Sequence, residues 1–211
     1  MNVTIIGTGK MASSISTRLL EGGHHISLIE HTPGKAKALA EELKSRKSGA
    51  KIEPATPGSI PGEVVVLAIP YSAVESVIHQ YQNQLGGKIL MDITNTFNFQ
   101  KMEPLLAGDS AAEQIARLVP ANTRVVKAFT SVLYKTLLAG KVGGQPLDVF
   151  IASDDAEAKT KITQLVESAG MRAIDAGPLV RARELEALGF LHVAIQSTTH
   201  TEFKSAIKIL A

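Results

Sequence analysis

The chain contains no cysteine. Disulfides, thiol nucleophiles and cysteine-ligated zinc or iron–sulfur centres are therefore excluded. A reducing compartment fits that composition. No apolar run approaches the ~20 residues of a membrane span. Met1-Asn2 lead straight into a strand pattern, and no secretory leader is expected. A cytoplasmic protein without a membrane partner is expected. Charge of one sign is also missing. The chain has 22 Lys+Arg against 20 Asp+Glu, a formal net charge of +2. Nucleic-acid binders concentrate far more basic charge than this, so no nucleic-acid partner is expected. The one basic cluster, Lys44, Arg46, Lys47 and Lys51, reads as a solvated helix end and loop. There are no internal repeats and no low-complexity segments. None of His24, His25, His31, His79, His192 and His200 has a zinc-site partner at a convincing interval, and no metal is expected.

What is present begins almost at the N-terminus. The β-branched run Val3-Thr4-Ile5-Ile6 feeds Gly7-Thr8-Gly9-Lys10-Met11-Ala12. Met11, Ile15 and Leu19 then repeat at helical spacing. Strand, glycine turn and helix in this register form the context of a dinucleotide fingerprint. Gly7 makes the tight turn, and Gly9 lets a pyrophosphate approach bare backbone. Ala12 stands for the third glycine and lets the helix pack against the strand. Amides at the helix start, helped by its dipole, then face the phosphates. The other reading of the same residues is a glycine turn that serves packing alone.

The 211 residues suffice for one large domain, or a domain with a small appendage. Strand and helix patterns alternate. His25 to Ile29 reads as the second strand. A helix follows Pro33-Gly34, with Ala36, Leu39, Ala40 and Leu43 on one face. Ala50 to Pro54 is a short edge candidate that Pro54 ends. Glu63 to Ile69 is nearly all apolar, as a strand buried on both faces should be. Val74, Val77, Ile78 and Tyr81 stripe the next helix. Lys88 to Asp92 is a strand, Thr94 to Pro104 a long loop, Ala111 to Leu118 a helix and Arg124 to Ala128 a strand. The glycine-rich stretch Gly140 to Pro146 reads as a hinge or boundary. Leu147 to Ala152 and Met171 to Ile174 are strands that flank a helix bearing Ile162, Leu165, Val166 and Ala169. Arg181 to about Phe203 reads as one long helix. The expected class is α/β, a doubly wound, mostly parallel Rossmann sheet. Residues 1–145 would form the dinucleotide-binding domain. Residues 146–211 would be a small extension that completes an acceptor site and a dimer interface. Leu185, Leu188, Leu191 and Ile195 are more apolar than one exposed helix should be, and a homodimer that buries them is expected.

Ligands of such sheets lie beyond the C-terminal ends of the strands. Four loops meet there: Gly7 to Ala12, Glu30-His31-Thr32, Ile69-Pro70-Tyr71 and Thr94-Asn95-Thr96. Glu30 lies where an acidic residue binds a ribose 2′-hydroxyl and disfavours a 2′-phosphate, which points to NAD. His31, Thr32 and Lys35 point to NADP, because they could hold that phosphate at a helix start. Lys35 reads equally as a solvated surface lysine. Ile69-Pro70 is a turn suited to lie under the nicotinamide ribose. Val74 faces either this site or the sheet. Asn95 either bonds the carboxamide or caps its loop. His192 lies on the apolar stripe of the last helix, where packing competes with contact to substrate. Tyr134 and Lys135 are adjacent, not four apart as a short-chain dehydrogenase base pair requires. No acid–base constellation stands out, and no catalytic side chain is assigned. Hydride exchange between two stacked rings needs little of such machinery. It requires reacting carbons ~3–3.5 Å apart and exclusion of water.

Several of these stretches resemble one family, the NADP-dependent reductases of the deazaflavin coenzyme F-420, and the related oxidoreductase domain of metalloreductases. The matching residues are Gly7 to Ala12, Ala68-Ile69-Pro70-Tyr71, Ala112-Glu113, Val125-Val126-Lys127-Ala128-Phe129, and Asp175-Ala176-Gly177-Pro178-Leu179 followed by Arg183, Glu184 and Glu186. The resemblance implies a nicotinamide site along Thr8 to Met11, the residues after strand two, Ile69-Pro70 and Thr94-Asn95. It also implies a second substrate, coenzyme F-420 or a flavin, near Ala128-Phe129-Thr130 and the turn Gly177-Pro178-Leu179. The family's usual Ser-Arg after strand two is Glu30-His31 here. Two further readings stay open. One is a reductase of a small imine or carbonyl, as in pyrroline-carboxylate reductases. The other is a non-catalytic NAD(P)-binding redox-sensing module.

Overall fold

The computed structural model describes residues 1–98, 101, 103–104 and 108–210. Its strands, in chain order, are β1 (Asn2–Ile6), β2 (His25–Ile29), β3 (Ile52–Pro54), β4 (Val64–Leu67), β5 (Ile89–Asp92), β6 (Phe97–Asn98), β7 (Glu103–Pro104), β8 (Arg124–Lys127), β9 (Lys141–Val142), β10 (Gln145–Pro146), β11 (Asp148–Ala152) and β12 (Arg172–Gly177). The helices are α1 (Lys10–Glu21), α2 (Lys35–Arg46), α3 (Val74–Leu85), α4 (Ala111–Leu118), α5 (Tyr134–Ala139), α6 (Ala156–Ser168), α7 (Ala182–Ala194) and α8 (Gln196–Thr199). Eight strands form one sheet in the order β12-β11-β8-β5-β4-β1-β2-β3. From β3 to β8 all neighbours are parallel. β11 meets β8 antiparallel through the pair Ala152–Lys127 and runs parallel to β12. The mostly parallel, doubly wound sheet is the expected one, and its order reverses at β1.

The apolar runs split by the period of two that a pleated strand imposes. Val64 and Val66 of β4, Val3 and Ile5 of β1, and Ile89 and Met91 of β5 join one core. Ile15 and Leu19 of α1, Leu39 and Leu43 of α2, and Ile162 and Leu165 of α6 cover it. Val65, Leu67, Ile6 and Leu90 face the other side, under Ile78 and Leu85 of α3 and Ile115 of α4. A sheet covered on both faces needs strands apolar at every position, which is why Val64-Val65-Val66-Leu67 does not alternate. Each of these fully buried side chains contributes about 1.5–3 kcal/mol.

The structure departs from the expected elements at three places. The long helix expected over residues 181–203 ends at Ala194, with only α8 beyond it. Hydroxyls of Thr198 and Thr199 donate back to the Ile195 carbonyl, and the Gln196 side chain takes up Thr201 and the Phe203 amide. His200, Glu202 and Phe203 then adopt positive φ, which a right-handed helix cannot continue through. The stretch Gly140 to Pro146, read as a hinge or boundary, contains the β9–β10 hairpin. Gly143 and Gly144 supply the φ of +56° and +80° at its turn. Part of the loop read over Thr94 to Pro104 pairs as β6 and β7. Its residues 99, 100 and 102 lie outside the described residues.

Candidate functional site

The glycine loop links β1 to α1 at the switch point of the sheet. Gly7 has φ +121°, and a Cβ there would lie 2.2 Å from the Ala68 carbonyl oxygen. Only glycine fits. Gly9 is the N-cap of α1, with φ −81° and no side-chain cap on the helix. A Cβ on Gly9 would meet nothing within 4 Å, so the loop is open on that side. Ala12 is fully buried, as close packing of α1 on the sheet requires. Free amides at the start of α1 therefore border open space, the arrangement that accepts an anion.

One cleft of about 500 Å³ runs from this loop across the parallel strand ends, lined by Gly9, Lys10, Met11, Ile69, Pro70, Tyr71, Thr94 and Asn95. Two polar atoms on this segment, Thr94 Oγ1 and Asn95 Oδ1, are buried without a hydrogen-bond partner among the described residues. An unpartnered buried polar atom is costly, so these two mark a stretch of the cleft wall that is incompletely satisfied. A second cleft of about 260 Å³ lies past β2, between Glu30, His31, Pro33, Ala36 and the turn 54–58. A third, of about 500 Å³, separates α1 from α2 and is lined by Thr8, Lys10, Lys35 and Arg46. The Lys10 ammonium sits 5.0 Å above the Tyr134 ring. Glycine loop, helix start and unpartnered polar atoms together fit a dinucleotide.

Glu30 caps α2. Its carboxylate accepts the Gly34 amide at 2.8 Å and the Ala36 amide as well. The negative group thus occupies the helix start where a 2′-phosphate would seek its donors, while His31, Thr32 and Lys35 are exposed. Val74 is buried in the core under α3, the sheet reading of that residue.

The acceptor candidates are spread more widely. Ala128, Phe129 and Thr130 are buried behind Asn95, whose side-chain amide donates to the Thr130 carbonyl at 3.2 Å. Phe129 holds φ +59°, an uncommon conformation for a bulky residue. Gly189 of α7 crosses here: a Cβ on it would lie 2.5 Å from the Thr130 carbonyl oxygen and 3.3 Å from Asn95 Oδ1. Gly177 ends β12 at φ +101°, Pro178 is exposed, and the Leu179 amide donates to Asp154. Leu179 lines a separate cleft with Arg124 and Asp154, so the structure does not join this turn to the glycine-loop cleft. His192 is buried, with one ring nitrogen against the Ser131 carbonyl and the other against the Ser205 hydroxyl, both at 2.9 Å.

Sequence reasoning assigned no chemistry to the strongest polar feature beneath the site. Lys127, at the end of β8, is fully buried. Its ammonium lies 2.7 Å from Asp92 of β5 and 2.8 Å from Glu186 of α7, and donates to the Thr94 carbonyl at 2.6 Å. Asp92 also accepts the Thr94 amide at 2.8 Å, and Glu186 accepts the Thr96 hydroxyl at 2.8 Å and the Ala111 amide at 2.9 Å. Nearby, Arg183 grips Glu113, which completes the capping box of α4 with Ser110. Glu113, Lys127, Arg183 and Glu186 all fall within the motifs quoted above. The available signal was a lysine and an aspartate that each end an apolar strand.

The fold and this cleft define a Rossmann-type α/β protein with the geometry of a dinucleotide site. Residues 2–96 match the family described as NADP oxidoreductase coenzyme F420-dependent. The chain is 32% identical over 186 residues to the metalloreductase STEAP3 of Rattus norvegicus, covering 88% of this chain and 36% of that protein. It is 28% identical over 205 residues to the F420-dependent NADP reductase of Methanothermobacter marburgensis, covering 89% of each. A solved structure from Arthrobacter sp. FB24, provisionally described as an F420-dependent NADP reductase, superposes with a TM-score of 0.83 at 26% identity over 99% of both chains. The chain thus resembles the deazaflavin-dependent NADP reductases over nearly its whole length, and spans about a third of the metalloreductase.

Proposed function

We propose that the chain is an NAD(P)-dependent oxidoreductase that transfers hydride between a nicotinamide dinucleotide and a deazaflavin, coenzyme F-420, or a flavin. The observation that carries this is the open Gly9 face continuous with a cleft whose Thr94 and Asn95 oxygens lack partners. The family match and the reductase relatives support it. When bound, the reduced nicotinamide supplies the hydride, and the proton needed by a reduced deazaflavin comes from solvent. The chain's own residues bind and orient. The amides after Gly9, with Thr8, Lys10 and Met11, hold the diphosphate. Glu30, His31, Thr32 and Lys35 face the adenosine ribose. Ile69, Pro70 and Tyr71 support the nicotinamide ribose, and Asn95 borders the carboxamide. Ala128, Phe129 and Thr130 back the acceptor ring. In this reading residues 1–145 carry the dinucleotide, and 146–211 complete the acceptor side.

The protein is read as a cytoplasmic homodimer. Of the residues expected at the interface, Leu185 is buried within the chain and Leu188 is half-buried, while Leu191 and Ile195 are 56% and 39% exposed and support the dimer. No helix among the described residues is long and apolar enough to cross a membrane. The test is anaerobic stopped-flow oxidation of NADPH and NADH with coenzyme F-420, FMN and a cyclic imine in parallel. Rapid reduction of the deazaflavin or flavin is expected. Turnover of the imine alone would replace the reading with a small-molecule reductase. Tight cofactor binding without any turnover would replace it with a sensing module.

A further inference from the structure

The buried cluster of Lys127, Asp92 and Glu186 has no part in the binding contacts above, yet among the described residues three of the four side-chain hydrogen bonds it makes outside itself end on the segment 94–96. Asp92 takes the Thr94 amide, Lys127 the Thr94 carbonyl and Glu186 the Thr96 hydroxyl. The fourth bond, from the Ala111 amide to Glu186, fixes the start of α4. Thr94 and Asn95 line the cleft itself. One cation faces two carboxylates, so the cluster carries a formal charge of −1, with Asp92 and Lys127 fully buried and Glu186 4% exposed. Water does not screen charge at such depth as it does at a surface.

We propose that this cluster both positions the 94–96 segment and places one excess negative charge beneath the nicotinamide, so that the oxidised, cationic ring binds better than the neutral reduced ring. The inference rests on the nicotinamide reading of the cleft. An oxidised nicotinamide carries +1 and its reduced form carries none, so a fixed anion discriminates between them by Coulomb attraction alone. Favouring the oxidised form makes the bound dihydronicotinamide a stronger hydride donor: C4 gives up hydride to the acceptor, and the cation left behind is the form the site stabilises. The field reaches the cleft. Burial first, and then the carboxylates of Glu186, Asp109, Asp92 and Glu75, push the Tyr71 phenol above its usual range, and Tyr71 lies on the cleft wall. Glu186 and Asp92 are thus positioning residues that also set the charge of the site.

The test is calorimetric titration of the full chain with NADP+, NADPH, NAD+ and NADH. Glu186→Gln keeps the side-chain shape and removes the excess charge. It should raise the ratio of the oxidised Kd to the reduced Kd by about fourfold, the size expected for one charge ~10 Å away at an effective dielectric of ~40. Asp92→Asn makes the same change from the other side and serves if Glu186→Gln does not fold. Thr96→Val cuts one tether without altering charge. It should weaken both forms together and leave the ratio unchanged. The inference is overturned if the folded charge variants keep the parent's ratio within twofold, or if Thr96→Val changes that ratio as much as they do. A parent that binds neither form of either cofactor would instead overturn the nicotinamide reading beneath it.

Discussion

Replacing Lys127 with methionine removes the only cation of the buried cluster while nearly preserving volume. Asp92 and Glu186 are then left facing each other at a site closed to water, and the Thr94 carbonyl loses its charged donor. Removing one partner of a buried ion pair costs about 3–5 kcal/mol, because the remaining charge stays desolvated. Total stability of a domain is about 5–15 kcal/mol, so the loss is a large fraction of it. For a chain of this length each kcal/mol moves Tm by about 2–4 °C, which predicts a fall of roughly 6–20 °C. Urea unfolding followed by circular dichroism, with scanning calorimetry alongside, measures both quantities. The triple change Lys127→Met, Asp92→Asn and Glu186→Gln removes every formal charge and should recover part of the loss. A Lys127→Met protein within about 1 kcal/mol of the parent would refute the claim that the cluster is ionised and mutually compensating.

Three other outcomes follow from particular contacts. Gly7→Ala should destabilise the fold, since its Cβ would overlap the Ala68 carbonyl, whereas Gly9→Val should melt within ~2 °C of the parent yet lose cofactor affinity at least about tenfold by closing the diphosphate approach; equal behaviour of the two variants would contradict the open-face assignment. Glu30→Ser frees the Gly34 and Ala36 amides and should shift selectivity towards NADP by about tenfold at a cost of ~1 kcal/mol in α2, read by calorimetry with both cofactors, and an unmoved ratio removes Glu30 from selectivity. Asp148 is pushed upward by burial, but hydrogen bonds from Arg172, the Ile209 amide and Lys208 outweigh this and hold its carboxyl at about 2. A lowered folded-state value means its stabilisation is complete above the unfolded carboxyl range and is lost as pH falls from about 4 to 2. Asp148→Asn should therefore be less stable than the parent at pH 7, with the gap closing towards pH 2, and a gap constant with pH would show that the charge is not what ties down the tail.

The layers of the fold were legible because burial on both faces leaves a direct mark. Val64 to Leu67 had to be apolar throughout, and α1, α2 and α3 each needed one apolar stripe. The glycine loop was legible for a similar reason, since Gly7 sits where no side chain fits. The end of α7 was not legible. Leu191 and Ile195 continue an apolar spacing, and what stops the helix is side-chain capture by Gln196 and the left-handed turn at His200. The ion cluster was illegible as chemistry because its members come from β5, β8 and α7, and only the sheet order brings them together. Glu186 and Arg183 were visible as parts of a motif, but the motif does not reveal that one anchors the 94–96 segment and the other grips α4. The two roles open to Glu30 could not be separated by spacing, because capping a helix and meeting a ribose ask for the same residue at the same place.

The missing side chain of Gly189 carries a consequence for how a bulky partner could enter. At that crossing α7 already touches the Thr130 carbonyl, so the helix has no slack in the inward direction. Widening this end means tilting α7 outward. Such a tilt stretches the Glu186 links to Lys127 and Thr96, which hang from the same helix one turn earlier. Gly189 and Glu186 ride on one rigid helix, so the close crossing and the anchor of the floor cannot shift independently.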